Sequence, residues 1–289
     1  MYNIVILGCE NSHANSFVKF VSEGLYPEIN VLGVYSDERA AAEKLHDEYG
    51  VAIMEDFYDP TLPLDGVMIT ARHGDNHHKY AAPYLERGIP MFIDKPITCT
   101  EEDAVSFMRA ARDNNVRFCG GSTCAALAET LEIAEAVKSG ALGDNRGGCI
   151  VAPMDRNSKY GGFTFYTQHL VEIMTTIFGI DAVEVFADDR DNAVNIIVRY
   201  SDFSVHASFV EAGAYYYSMS AYGKDKSISR EGTFTKDTFR HEMNDMLDLL
   251  RGEPMKKSYE NFIAPVFIMN AIMRAMKSGQ WEKINKIEI

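Results

Sequence analysis

The chain has 289 residues, 46% of them apolar, and a formal net charge of −14, which is enough apolar content for a sizeable core and about two domains. The acidic balance argues against binding nucleic acid or an anionic membrane surface, since both need clustered Lys and Arg, and no apolar run approaches the roughly 18 residues of a membrane span. The cysteines (Cys9, Cys99, Cys119, Cys124, Cys149) are odd in number and form no C-x-x-C pair, which argues against a disulfide framework or a structural zinc site and for a reducing, cytoplasmic setting.

The first residues enter a strand directly, without the basic n-region and cleavage site of a signal peptide. Up to about residue 120, strands and helices alternate. "NIVIL" (Asn3 to Leu7) is followed by a helix through Phe17–Val21, and "VLGVY" (Val31 to Tyr35) by an Ala- and Glu-rich helix, Glu38 to Tyr49. "GVMIT" (Gly66 to Thr70) precedes a helix from Asn76 to Arg87 that Gly88 ends. "MFI" (Met91 to Ile93) leads through Pro96 to Thr100-Glu101-Glu102-Asp103, a capping-box-like start for a helix reaching Asn114; "VRFC" (Val116 to Cys119) closes the series. Strands apolar on both faces and separated by helices predict a doubly wound parallel sheet, with its ligand at the carboxyl ends of the strands.

After "GGST" (Gly120 to Thr123) the pattern changes. Helices are expected over Leu127–Ser139 and from Gln168 to just before Gly179. Strand-like runs then follow one another: Val183–Ala187, Ala193–Tyr200, Val205–Glu211, Tyr215–Tyr222 and Lys226–Arg230, with a tight reversal at Ser201-Asp202. Short connections of this kind build an antiparallel sheet. Helices over Phe239–Arg251 and Tyr259–Lys277 and a last strand at Lys286–Ile289 complete the chain. The expectation is therefore an α/β chain: a Rossmann doubly wound domain over residues 1–120, and an α+β domain with an open, mainly antiparallel sheet over residues 121–289. An open sheet of apolar strands needs covering, and symmetric face-to-face packing would give a homodimer or homotetramer.

Four stretches bear on chemistry. In "NIVILGCENSHANSF" (Asn3 to Phe17) a strand, a turn and a helix start stand where a dinucleotide-binding protein places G-x-G-x-x-G, but only Gly8 is present; Glu10 and His13 hold the other two glycine positions. Gly8 preserves the tight turn, Glu10 adds a negative side chain, and His13 would crowd the helix–strand contact unless turned outward. Asn11 and Ser12 can cap the helix, whose free N–H groups favour an anion. In "FIDKPIT" (Phe92 to Thr98), Lys95 stands before Pro96 at the end of a parallel strand, where it could polarise a hydroxyl or carbonyl; the proline can take a cis bond. In "GGFTFYTQHLVEI" (Gly161 to Ile173), Tyr166, His169 and Glu172 share one helix face, and His169 is suited to acid–base work near neutral pH. His73, His77 and His78 with Asp75 lack a zinc spacing and read as a polar loop, so no metal is expected. The tyrosines of "AYYYSMSAY" and the methionines of "MNDMLDLL" read as packing.

Together these stretches resemble the Gfo/Idh/MocA oxidoreductases, a family of sugar, inositol and related polyol dehydrogenases. "DKP" looks like the family's E-K-P motif, which implies that Asp94 replaces the glutamate and that Lys95 is the catalytic and cofactor-orienting lysine. "ARHGDNH" (Ala71 to His77) falls on the family's T-P-N-x-x-H segment without its proline, which implies cofactor contacts from Ala71, Arg72 and His77. "VKSGALGD" and "DLLRGEP…AIMRAMKSGQW" also look like family signatures, and His169 lands on the histidine of D-x-x-x-H, with Phe165 where the aspartate belongs. The acidic residue closing the second strand falls on either Ser36 or Asp37.

The resemblance implies a cytoplasmic enzyme that uses NAD or NADP to oxidise a sugar-like or polyol secondary alcohol, or to reduce its ketone. Lys95 and His169 would be catalytic, with Tyr166 or Glu172 partly replacing the lost carboxylate; Gly8, Asn11, Ser12, Ser36, Asp37, Ala71, Arg72, His77, Asp94 and Lys95 would hold the cofactor. The same residues also suit a non-catalytic ligand-binding or sensing protein, and a lyase or hydrolase on the same scaffold stays open.

Overall fold

Three central strands of the first half each carry an uninterrupted apolar run, and the structure buries those runs on both faces. In this computed structural model, which describes residues 1–211 and 215–289, β1 (Tyr2–Leu7), β2 (Ile29–Tyr35), β3 (Gly66–Ile69), β4 (Met91–Asp94) and β5 (Phe118–Gly121) form one parallel sheet in the order β2-β1-β3-β4-β5. Ile4 to Leu7, Val67 to Ile69 and Met91 to Ile93 are all fully buried, each such side chain contributing about 2 kcal/mol by leaving water. Between them run α1 (Ser12–Ser22), α2 (Arg39–Tyr49), α3 (Asp75–Leu85) and α4 (Glu101–Asp113). The expected N-cap is present: Thr100 Oγ1 accepts the Asp103 N–H and donates to the Asp103 carboxylate, with three acidic residues in the first turn of α4. The strand order reverses between β1 and β3, which makes the carboxyl ends of these two strands the switch point where an open parallel sheet takes its ligand.

The second sheet has seven strands, ordered β11-β10-β6-β9-β8-β7-β12: β6 (Asn145–Met154), β7 (Glu184–Arg190), β8 (Ala193–Arg199), β9 (Ser204–Glu211), β10 (Ser218–Gly223), β11 (Ser227–Glu231) and β12 (Glu282–Lys283). Among the described residues, only the β6–β9 pairing of this sheet is parallel. Burial alternates along β8 and β9, with Val194, Ile196 and Val198 beside Val205, Ala207 and Phe209 on the inner face. The core on that face includes residues of α5 (Ala128–Lys138), α6 (Thr164–Phe178) and α8 (Tyr259–Ser278). Tyr200 N–H donates to Phe203 O across the expected reversal at Ser201-Asp202.

Packing divides the chain into one unit of Met1–Gly121, Lys236–Tyr259 and Ile289, and another of Ser122–Thr235 and Glu260–Glu288. Against the expected cut between residues 120 and 121, the segment carrying α7 (Arg240–Leu250) returns to the first unit. It does so because Met243 and Met246, read from the sequence as packing residues, fill the core beside Ile4, Met68 and Phe92.

Three elements differ from expectation. β6 is not legible, because Gly147 and Gly148 give a weak strand signal; Gly148 is needed there, since a Cβ would lie 2.2 Å from Phe178 Cζ of α6. The final strand is Glu282–Lys283 rather than residues 286–289: it pairs with the start of β7, and Ile284 N–H bonds to Val183 O just before β7 begins, so the ladder runs out there. Of the tyrosines in "AYYYSMSAY", Tyr217 is core, whereas Tyr215 and Tyr222 are exposed; Ala214, which opens that run, lies outside the described residues. All five cysteines are free, and among the described residues no helix is long and apolar enough to cross a membrane.

Candidate functional site

In the first unit, the turn after β1 is fixed by backbone. Gly8 has φ +79° and its N–H donates to Tyr35 O at 2.8 Å, while Thr70 Oγ1 donates to Gly8 O at 3.0 Å. A Cβ on Gly8 would lie 2.3 Å from the Ala71 backbone. Gly8→Ala should therefore destabilise the protein by about 2 kcal/mol or more, through strain at positive φ and a backbone clash. Urea melts check this, and a loss below about 0.5 kcal/mol, the scale of a neutral surface change, would remove the turn from the fold's requirements.

Asn11 is the N-cap of α1, its Oδ1 accepting the His13 N–H at 3.2 Å; the Ser12 hydroxyl donates to the same oxygen at 3.3 Å. Asn11 Nδ2 also donates to Asp94 Oδ2 at 2.7 Å, and Asp94 Oδ1 accepts the Lys95 N–H at 2.7 Å. The cap of α1 and the Asp94–Lys95 segment at the end of β4 are thus one hydrogen-bonded unit, fully buried at Asp94 and nearly so at Lys95. The Lys95–Pro96 peptide is cis. Burial pushes the Asp94 carboxyl up to about 6, against the opposing pull of Lys95 and His77.

His13 corrects an expectation. It is turned inward rather than outward, 6% exposed, with its ring 4.5 Å from the Phe239 ring and 6.2 Å from Phe17. Its Nδ1 lies 3.3 Å from Asp94 Oδ2 and 3.5 Å from Glu242 Oε2 of α7. The crowding that a third glycine would avoid is absorbed by the cage that the α7 segment closes. Burial pushes the imidazole down to about 3, helped by the positive charges of Lys95 and Arg72. Glu242 was missed in the sequence, where it reads as one more polar position beside the methionines.

Glu10 also behaves differently from a simple intrusion. Its Oε2 accepts the Ser36 hydroxyl at 2.6 Å and its Oε1 accepts the Arg72 N–H at 3.0 Å, so the side chain lies across the ends of β1, β2 and β3. Asp37 is engaged elsewhere, by the Tyr35 hydroxyl at 2.7 Å and Lys79 Nζ at 3.2 Å. His77 is fully buried, with Nδ1 2.6 Å from Pro96 O and Nε2 2.7 Å from Ala71 O. It clamps the loop after β3 to the loop after β4. The neighbouring histidines part from it: His78 stacks on Phe107, and His73 faces Asp75; against the reading of all three as a polar loop, His77 and His78 lie in α3. Ligand atoms of His73, Asp75 and Cys99 do lie within 4.8 Å of one another. Burial and Asp75 push the Cys99 thiol up to about 12.

In the second unit, α6 presents Tyr166, His169 and Glu172 at three-residue spacing, with His169 and Glu172 each 7% exposed. Ser122 joins two of them: its Oγ is 2.7 Å from His169 Nδ1, and its N–H donates to Glu172 Oε2 at 2.7 Å. Ser122 Oγ also accepts the Cys124 N–H at 3.1 Å. Glu172 therefore supports His169 through Ser122, a residue that sequence reasoning took only for a boundary. Phe165 is buried, its ring 5.4 Å from Tyr160 and 4.7 Å from Tyr166, and Tyr166 meets Tyr215 edge to face at 5.1 Å.

Residues 2–122 match the family described as oxidoreductase family, NAD-binding Rossmann fold, which is the Gfo/Idh/MocA family. No curated protein matches the sequence. Among solved structures, the scyllo-inositol dehydrogenase from Lactobacillus casei, with bound NAD(H) and scyllo-inositol, is similar at a TM-score of 0.86 and 14% identity, over 98% of this chain and 99% of that one. A myo-inositol dehydrogenase from Corynebacterium glutamicum ATCC 13032 is similar at 0.83 and 14%, over 99% and 100%. GenD2 from gentamicin A biosynthesis, in complex with NAD, is similar at 0.85 and 12%, over 99% and 97%. At such identities the likeness is one of fold.

Proposed function

We propose that this chain, whose residues 2–122 match the Gfo/Idh/MocA oxidoreductase family, is an NAD(P)-dependent dehydrogenase or reductase of a polyol or sugar-like secondary alcohol. The observation that carries the reading is the buried link from the α1 cap through Asp94 to Lys95 at the switch-point end of the parallel sheet. A nicotinamide dinucleotide fits the first unit: Gly8 supplies a turn that no Cβ would allow, and the capped N-terminus of α1 favours a diphosphate. Ala71, Arg72 and the Ser36–Glu10 pair complete the rim of that loop. The bound cofactor would supply hydride exchange. Lys95 then polarises the substrate oxygen, and His169, held through its Nδ1 by Ser122, exchanges the proton. The inositol dehydrogenases of like fold support a cyclic polyol as the substrate class.

Titration with NADH and NADPH, followed by nicotinamide fluorescence, and then turnover with a panel of inositols and sugars, tests the reading. His169→Asn is expected to remove one limb of the pH–rate profile; an unchanged profile would assign proton exchange to another group, Tyr166 first. Cofactor binding without turnover across the panel would favour a sensing protein, the reading that Phe165 in place of a carboxylate supports.

A further inference from the structure

The switch-point end of the sheet carries a carboxylate that the dinucleotide fingerprint does not provide for. In Rossmann domains generally, an acidic residue closing the second strand accepts hydrogen bonds from the adenosine ribose hydroxyls. Here Ser36 stands at that point, directly after β2. The next residue, Asp37, has both carboxylate oxygens engaged by Tyr35 and Lys79. Resting on the Ser36 hydroxyl instead is Glu10, from the position of the second fingerprint glycine.

The seat is well made. Ser36 Oγ accepts the Glu38 N–H at 3.0 Å and donates to Glu10, so the hydroxyl is committed in both senses. The Arg72 N–H holds the other carboxylate oxygen. Each Glu10 oxygen has one donor here, and a carboxylate offers about four acceptor positions in all, so capacity to accept from further hydroxyls is left. A phosphate offers only acceptors and negative charge, and Lys79, a cation that could offset it, is already paired with Asp37.

We propose that Glu10, seated on Ser36, sets cofactor choice, its carboxylate accepting from the ribose hydroxyls of NAD(H) and rejecting the 2′-phosphate of NADP(H). The inference rests on the reading that this unit binds a nicotinamide dinucleotide. It also recasts the lost glycine as an exchange: the carboxylate moves from the end of the second strand to the first turn.

The test is fluorescence titration of the full chain with NADH and NADPH, for wild type, Glu10→Gln and Ser36→Ala. Wild type should bind NADH at least about tenfold more tightly, the scale on which like charges discriminate. Glu10→Gln keeps the shape and removes the charge, so it should shrink that preference several-fold, chiefly by gaining NADPH affinity. Ser36→Ala unseats the carboxylate and should shrink it as well, which keeps the test available if Glu10→Gln does not fold. Should Glu10→Gln tighten both cofactors equally, the carboxylate is only a general repulsion at the diphosphate and the inference fails. An unchanged preference in both variants, or a wild-type preference for NADPH, also overturns it while leaving dinucleotide binding intact. If neither cofactor binds any of the three proteins at millimolar concentration, the dinucleotide reading falls and this inference with it.

Discussion

Lys95→Met is expected to lower kcat by about two orders of magnitude or more, the scale of a lost acid–base or polarising group, with a much smaller change in NADH affinity. The split between turnover and binding follows from how the segment is held. The Lys95 N–H donates to Asp94 Oδ1, and Asp94 Oδ2 takes Asn11, so backbone and cap stay in place when the ammonium is removed. Methionine keeps an unbranched side chain of similar length in a position only 4% exposed, and the fold should tolerate it. Steady-state turnover on any substrate the wild type accepts, beside a fluorescence titration, measures both quantities. Near wild-type kcat would take Lys95 out of the mechanism, and an equal loss of affinity and turnover would assign it to cofactor holding alone.

Much of the parallel domain was legible because its signals are local. The uninterrupted apolar runs of β1, β3 and β4, the Thr100 cap and the glycine after β1 each reveal their role within a few residues. What escaped depends on partners far along the chain. His13 faces Asp94 and Glu242, 81 and 229 positions away in number, so nothing near "NSHANSF" announces that its histidine turns inward. Ser122 reveals no function until α6 brings His169 and Glu172 to it. Glu10 was legible as a negative charge in a loop that should hold an anion; that Ser36 and Arg72 receive it was not, because those contacts join the ends of three strands. β6 failed for another reason: Gly148 makes room for Phe178 and Gly147 for the Ser204 carbonyl, and that need overrides strand propensity.

The His13–Asp94 pair should be nearly silent in the pH dependence of stability, and each single substitution should expose a slope of opposite sign. His13, ordinarily near 6.5, is pushed down to about 3 in the folded chain, chiefly by burial. Between those values the unfolded chain holds the extra proton, so this residue's contribution is present above pH 6.5 and is lost as the pH falls towards 3. Asp94, ordinarily near 3.8, is pushed up to about 6, also chiefly by burial. Here the folded chain holds the extra proton, so the contribution is full below pH 3.8 and is lost as the pH rises through 6. Over the shared window the pair carries one proton in either state, on His13 when unfolded and on Asp94 when folded, and the two slopes oppose. Asp94→Asn leaves His13 alone, so relative to wild type its stability should fall on acidification from pH 6.5 to 4 by about 3 kcal/mol. His13→Phe keeps the ring contacts with Phe17 and Phe239 and leaves Asp94 alone, so relative to wild type its stability should rise by a similar amount, about 3 kcal/mol, between pH 7 and 4. Urea melts of the three proteins across that range give the two difference curves. Curves of the same sign, or two flat ones, would mean that the pair does not share a proton and that Glu242, 3.5 Å from His13 Nδ1, holds it instead.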